Sequence, residues 1–273
     1  MGRALEVLAG QSTAPSTTFT ALTMAAGNSL TVRNAPLDSM IKLIQVWGDN
    51  QTAGTLRIRS PKLHDMVQGI RVAVSASDVA PLLPLGASQR LIAQDVLTVE
   101  NTGSATAGDL EGAALLVYYE NLPGSDARLA KWADIMPRIV NLVTVENTLA
   151  LGTGGGYSGE EALNAEFDLL KANIDYALLG YIVSAECLLV RWRGADTANL
   201  GVGGPGNETL RHVTADWFKR LSLMLDLPLI PIFNAANKGG ILLDGVQDEV
   251  GTDVTLISIF AELSPGPGMP AGR

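Results

Sequence analysis

Cysteine occurs once in these 273 residues, histidine twice, and aromatic side chains supply only 5% of the chain. A single thiol, Cys187, rules out an intrachain disulfide and any multi-cysteine zinc site. It sits in the apolar run Glu186-Cys187-Leu188-Leu189-Val190, where a free cysteine is expected to pack as a small buried hydrophobe. His64 and His212 are too few for the converging imidazoles of a cupin-type metal centre or for a Ser-His-Asp triad, and no G-x-S-x-G elbow occurs. Both histidines fall in segments read as helical, where capping or packing is the expected role. Basic residues are also scarce. Nineteen Lys and Arg against 28 Asp and Glu give a formal charge of −9 with no basic run, which opposes direct binding to nucleic-acid phosphates. No apolar stretch reaches the roughly 18 residues needed to span a bilayer as a helix. The opening Met1-Gly2-Arg3-Ala4-Leu5-Glu6 leads into no long apolar core and fails the myristoylation pattern, so synthesis and folding are expected in a cytoplasm. The sequons at Asn50 and Asn207 are then chance matches in turns.

What is present is apolar content and turns. The hydrophobic share is 47%, so cores must be filled mainly by Leu, Ile, Val and Ala, while 29 Gly and 13 Pro fit many short strands joined by many turns. The chain also repeats itself. Leu56-Arg57-Ile58-Arg59 returns as Val190-Arg191-Trp192-Arg193, Leu63-His64 near Leu210-Arg211-His212, and Leu83-Pro84-Leu85 as Leu227-Pro228-Leu229. Two strand-like runs, Leu115-Leu116-Val117-Tyr118-Tyr119-Glu120 and Leu256-Ile257-Ser258-Ile259-Phe260-Ala261-Glu262, close the copies, each followed shortly by proline. Partners keep their order at separations of 134 to 148 residues, which reads as two related β-rich units in tandem.

The alternating run Leu56-Arg57-Ile58-Arg59 predicts a half-buried strand with both arginines on one side. Residues 62–69 predict a short helix stopped by Gly69, and 26–28 a turn. In the second copy, 194–206 reads as a long mobile surface loop with no counterpart in the first. After it, Asn207 is the expected cap of a helix carrying Leu210, Val213, Trp217 and Leu221 at helical spacing. Between the copies, 125–136 reads as a short amphipathic helix or ordered linker. With seven or eight strands per half and almost no helices, a βαβ fold is excluded and antiparallel sandwiches are the economical solution. The expected division is a first jelly roll over 1–127, a linker over 128–140, a second jelly roll over 141–264 and a flexible C-terminal arm over 265–273.

Two consecutive eight-stranded sandwiches, each with an inserted helix, resemble the double jelly-roll major capsid proteins of tailless icosahedral double-stranded DNA viruses, of the tectivirus and corticovirus kind. The residues that carry the likeness are the paired Arg-x-Arg strands, the paired helices at Leu63 and Leu210, and the paired closing strands. It covers nearly the whole chain as a likeness of element order. The resemblance implies an all-β tandem double jelly roll that is a structural protein and not an enzyme. It implies homotrimers of pseudo-hexagonal outline that contact neighbouring capsomers, with minor capsid or vertex proteins as further partners. It also places the protein in the virion, after synthesis in a host cytoplasm. It implies no cofactor, no metal, no catalytic residue and no direct nucleic-acid contact. The runner-up is a soluble carbohydrate-binding or enzymatic double-sandwich protein using acidic loops and exposed tryptophan.

Other chemistry is weaker. Gly201-Val202-Gly203-Gly204-Pro205-Gly206 matches G-x-G-x-x-G, but it lacks the strand-to-helix turn of a dinucleotide site, and Pro205 lacks a needed N–H. Gly152-Thr153-Gly154-Gly155-Gly156 reads as a flexible lead-in to the second unit. Glu160-Glu161 and Asp248-Glu249 read as solvated acids, not a glycosidase pair. Asp244, Asp248 and Asp253 form a weak candidate for Ca²⁺ without the EF-hand pattern. Trp217 is expected in a core, whereas Trp47 and Trp192, at strand ends, fit either a core rim or an anchor for a neighbour.

Overall fold

Runs rich in β-branched and apolar residues become strands throughout. The computed structural model describes residues 2–12, 16–24, 29–33, 36, 40–63, 66–76, 79–106, 109–152, 156–163, 169–247 and 253–265. The first half contains β1 (Arg3–Ser12), β2 (Thr20–Ala21), β3 (Thr23–Met24), β4 (Ser29–Thr31), β5 (Ile41–Asn50), β6 (Gly54–Arg59), β7 (Ile70–Val74), β8 (Ala80–Pro81), β9 (Gln89–Arg90), β10 (Val96–Thr102) and β11 (Glu111–Glu120). The second contains β12 (Leu129–Ala130), α1 (Trp132–Ile135), β13 (Ile139–Ala150), β14 (Ser158–Ala162), β15 (Asp175–Val183), β16 (Cys187–Arg193), β17 (Val202–Gly206), α2 (Arg211–Thr214), α3 (Trp217–Leu225), β18 (Ile230–Asn234), β19 (Leu242–Val246) and β20 (Asp253–Leu263).

The strands form four antiparallel sheets. One is β3-β1-β11-β5-β8, with β9 also on β5, and its partner in the first half is β2-β10-β6-β7, with β4 also on β10. The second half repeats the order, with β13-β20-β15-β18-β12 and β14-β19-β16-β17. In each half the first long strand lies beside the last, and the last lies beside the strand that precedes the Arg-x-Arg strand. In the other sheet, the Arg-x-Arg strand sits between the penultimate strand and a short neighbour. The chain is therefore predominantly β, in an order compatible with a jelly-roll sandwich.

β11 shows why the closing strand of the first half lacks alternation. Ala113, Leu115, Val117 and Tyr119 enter the core between the two first-half sheets, while Ala114, Leu116 and Tyr118 enter a second core that continues into the other half. A strand covered on both faces reads as a continuous apolar run. Leu5, Val7, Ala9, Ile44 and Trp47 join the same shared core from neighbouring strands. Burying a large apolar side chain is worth roughly 1.5–3 kcal/mol. A face holding Leu5, Val7, Trp47 and Leu116, each at most 1% exposed, therefore binds the halves firmly together.

Helices α2 and α3 pack on the outer face of β15. Gly180 of β15 marks the closest approach: a Cβ there would lie 2.4 Å from the carbonyl oxygens of Thr214 and Ala215. Trp217, Phe218 and Leu221 form the buried face of α3, and Asp226 ends the helix in the left-handed region at φ 51°, a conformation aspartate tolerates. Trp217 also meets Trp47 edge to face at 6.1 Å, so α3 reaches across to the first half.

Several expectations are corrected. The described part of 61–69 forms turns, not a helix; Ser60 Oγ accepts the amides of Lys62 and Leu63 as a helix cap would, but the stretch is short and leaves Met66 and Val67 exposed, so no packing sustains a helix. It also joins β6 to β7, whereas α2 and α3 join β17 to β18, so the Leu63 and Leu210 segments are not counterparts. Asn207 does not cap the helix; its Oδ1 accepts from the amides of Thr209 and Leu210 in the turn before α2. The stretch 194–206 is not a mobile surface loop. It contains a 3-10 turn and then β17, every residue of which is buried. β17 occupies the position that β7 holds in the first half, so it is no insertion. Glycine makes this possible: a Cβ on Gly204 would sit 2.3 Å from the Tyr181 hydroxyl and 2.6 Å from Trp217 Nε1. In that space Trp217 Nε1 donates to the Gly203 carbonyl at 3.2 Å, and the Tyr181 hydroxyl donates to the Pro205 carbonyl at 2.8 Å. The stretch read as an inter-copy helix is shorter than expected, because Leu129–Ala130 pairs with β18 instead. The turn at 26–28, the glycines 154 and 155, and residues 266–273 of the tail lie outside the described residues.

Candidate functional site

The repeated Arg-x-Arg segments occupy equivalent places and build equivalent clusters. In β6, Arg57 and Arg59 project from one face because Leu56 and Ile58 fill the core on the other. Cross-strand register places Arg57 opposite Glu100 of β10. Glu100 accepts from Arg57 Nε at 2.7 Å and from Arg59 Nε and Nη2 at 2.8 Å each. The Phe19 ring, just before β2, lies under Arg57 with the guanidinium carbon 3.8 Å from its centroid, and Arg71 of β7 approaches it at 5.3 Å.

In the second half, Arg191 of β16 stands opposite Asp244 of β19. Asp244 accepts from Arg191 Nη2 at 2.9 Å and from Arg193 Nε at 3.3 Å. Arg193 also pairs with Glu160 of β14. Tyr157, just before β14, lies under Arg191 at 3.2 Å. The same strand, the same opposing carboxylate and the same flanking aromatic recur in both halves.

Electrostatics follow from the packing. Burial alone raises the Glu100 carboxyl, but hydrogen bonds from Arg59 and Arg57 outweigh it and hold the group below the usual carboxylate range. Burial pulls Arg191 down, yet its bond to Asp244 leaves the guanidinium held more firmly charged than usual. Burial also pushes the Tyr157 hydroxyl up to about 12, so it stays a protonated donor.

The surroundings differ. The second-half cluster lies at the junction, where the edge of β1 is fixed by the other half: Val7 N–H donates to the Gly201 carbonyl at 2.8 Å, and the Tyr157 hydroxyl donates to the Val7 carbonyl at 3.4 Å. Nearby, Trp47 Nε1 donates to the Leu188 carbonyl at 2.7 Å and Val79 N–H donates to Glu186. The described contacts of the first-half cluster all stay within the first half, although the side chains are about as exposed as their counterparts, Arg57 and Arg191 at 14% and 16% and Arg59 and Arg193 at 37% and 32%.

The weaker candidates are dispersed. His64 lies outside the described residues, and His212 is exposed on α2, its carbonyl accepting from Arg220. Asp248 and Glu249 are likewise outside, while Asp244 is engaged by two arginines. Among the described residues no group of three His, Cys, Asp or Glu is placed to hold a metal ion. Cys187 is a buried thiol outside any disulfide. Asn50 and Asn207 are both buried and hydrogen-bonded to the protein, which suits neither to carry a glycan. A shallow hollow near Gly54 is lined by small neutral residues such as Thr17, Ala53, Thr55 and Thr102 and offers no acid or base. No described helix is long and apolar enough to cross a membrane.

Sequence reasoning found the arginines but missed Phe19, Tyr157 and Glu100, and it singled out Asp244 for Ca²⁺ and not as the partner of Arg191. Their separations fall within the drift already seen for the repeats, so aligning the halves by position was the available signal.

No family model and no curated protein matches the chain. Among solved structures, the exported protein XepA of PBSX is similar at 10% identity and TM-score 0.22, covering 85% of this chain and 84% of that one. The major capsid protein of bacteriophage PM2 is similar at 8% identity and TM-score 0.23, covering 97% and 99%. Scores this low define neither fold nor function.

Proposed function

We propose that the chain is a double jelly roll, over 1–127 and 141–264 with 128–140 between them, and that it serves as a structural major capsid protein of an icosahedral virion. One observation carries the reading: two halves with the same strand order bear an equivalent arginine cluster, one in contact with the edge of the neighbouring half and one whose described contacts stay within its own half. Two like units per chain give three chains six like edges, the outline that tiles a shell. The function is then packing, without catalysis or cofactor. The partners are two further copies in a trimer, neighbouring capsomers and minor capsid or vertex proteins, with no direct nucleic-acid contact. The protein is made in the host cytoplasm and resides in the virion. A glycan-binding role relying on exposed tryptophan finds no support, since Trp47, Trp192 and Trp217 are fully buried and Trp132 is half-buried with Lys219 over its ring.

Light scattering coupled to size-exclusion chromatography tests this directly. The expected species has about three times the 28.7 kDa chain mass, with a hexagonal outline in negative stain. A monomer at every concentration overturns it.

A further inference from the structure

We propose that the outward face of β13 docks on the Arg57–Arg59 surface of a second copy of this chain, repeating between molecules the junction that β1 and the Arg191–Arg193 surface make within one. The inference rests on the assembly reading above and names the contact that it needs.

The intrachain junction supplies the template. Over residues 3–9, β1 pairs on one side only, with β11. Its other edge is satisfied at Val7 by Gly201 and Tyr157, and its outward Leu5, Val7 and Ala9 are buried in the shared core. β13 is the topological counterpart of β1: it lies beside the closing strand β20 at the edge of its sheet. Its own outward face is bare. Val140 is 64% exposed and Leu142 61% exposed. On β20, Leu256 and Phe260 enter the core, while Ile257 and Ile259 lie half-buried on the opposite face, in register with Glu146 and Thr144 of β13. A twelve-residue edge strand with such a face is a template for pairing, which chains that stay monomeric blunt or cover.

The receiving surface is complementary in both charge and apolarity. Arg57, Arg59 and Arg71 gather around Phe19 with the carboxylate of Glu100 on the first two, whereas in the junction Arg191 and Arg193 are matched by Asp244 and Glu160. Among the described residues the first-half cluster thus sets three arginines against one carboxylate on an acidic protein. β13 presents exposed Glu146, and adjacent β14 presents exposed Glu161. Arg57 also donates to the Val67 carbonyl at 3.3 Å, which sets the exposed Met66–Val67 turn beside the cluster as an apolar counterpart to Val140 and Leu142. Such a contact is heterologous, so each copy gives one face and receives on the other, and the threefold rotation of the proposed trimer is what closes the contacts as a ring.

Sedimentation of full-length variants tests the contact. Leu142→Glu is expected to weaken self-association at least tenfold while leaving the monomer's melting temperature unchanged. Glu146→Arg and Arg71→Glu are each expected to weaken it, and the double variant to recover most of the loss, a pattern that general surface charge does not produce. If wild-type chains assemble and L142E assembles equally well, the docking face is wrong while the assembly reading stands. If wild-type chains remain monomeric, both fall.

Discussion

The two arginine clusters set two arginines of one strand against a carboxylate and an aromatic ring in the same register, yet one touches the neighbouring half while the described contacts of the other stay within its own. Beside Arg191 the first half supplies β1, the aromatic partner is Tyr157 with a hydroxyl that reaches Val7, and Asp244 and Glu160 match the two arginines. Around Arg57 the partner is Phe19, which has no such hydroxyl, and Arg71 joins the cluster, so that among the described residues three arginines meet one carboxylate. A parallel contrast separates the opening sheets: β1, β11 and β5 are buried on both faces, whereas β13 and β20 leave one face partly open. Duplicated units thus diverge where one gains an intrachain neighbour that the other lacks.

The strongest way to break the comparison is to remove the covering contact. Trp47→Ala deletes the edge-to-face partner of Trp217 and the bond to Leu188, and is expected to destabilise by about 3–5 kcal/mol. Urea unfolding should then separate into two transitions, one per half; a single unshifted transition would contradict the shared core. Next, Arg191→Ala leaves Asp244, 4% exposed, with only the longer bond from Arg193, at an expected cost of about 3 kcal/mol. Arg59→Ala removes a partly exposed partner and leaves Arg57 on Glu100, so about 0.5 kcal/mol is expected. Equal losses would show that the exposure of the arginine does not set what each pair contributes. The smallest effect is a pH slope. Because the folded Glu100 carboxyl lies below its unfolded value near 4.3, its contribution is complete above that pH and disappears as pH falls through the lower folded value. Glu100→Gln should therefore flatten the acid limb of stability measured between about pH 5 and 3.

Much of the β character was legible because period-two patterning at Leu56-Arg57-Ile58-Arg59 fixes which side chains face the core whatever the neighbours do. The closing strands were legible as apolar runs. The helix expected at 62–69 failed although Ser60 accepts the amides that a cap would, because so short a stretch needs a packed face to hold it and Met66 and Val67 are left exposed. β17 was misread because glycine-rich sequence signals backbone freedom, whereas here the missing side chains make room for Tyr181 and Trp217, which lie far away in sequence. Of the cluster, the arginines were visible as a repeat. Their carboxylates were not, since Glu100 and Asp244 meet them only through strand pairing.

Composition and patterning alone set the class of the molecule: too little cysteine and histidine for disulfide or imidazole chemistry, and too few helical periods for anything but antiparallel β-structure. Which face of each sheet is covered was decided in three dimensions. Burial of Trp47, Val7 and Leu116 depends on α3, β16 and β17 arriving from the other half, and a local pattern of residues carries no information about what a distant segment will place against it.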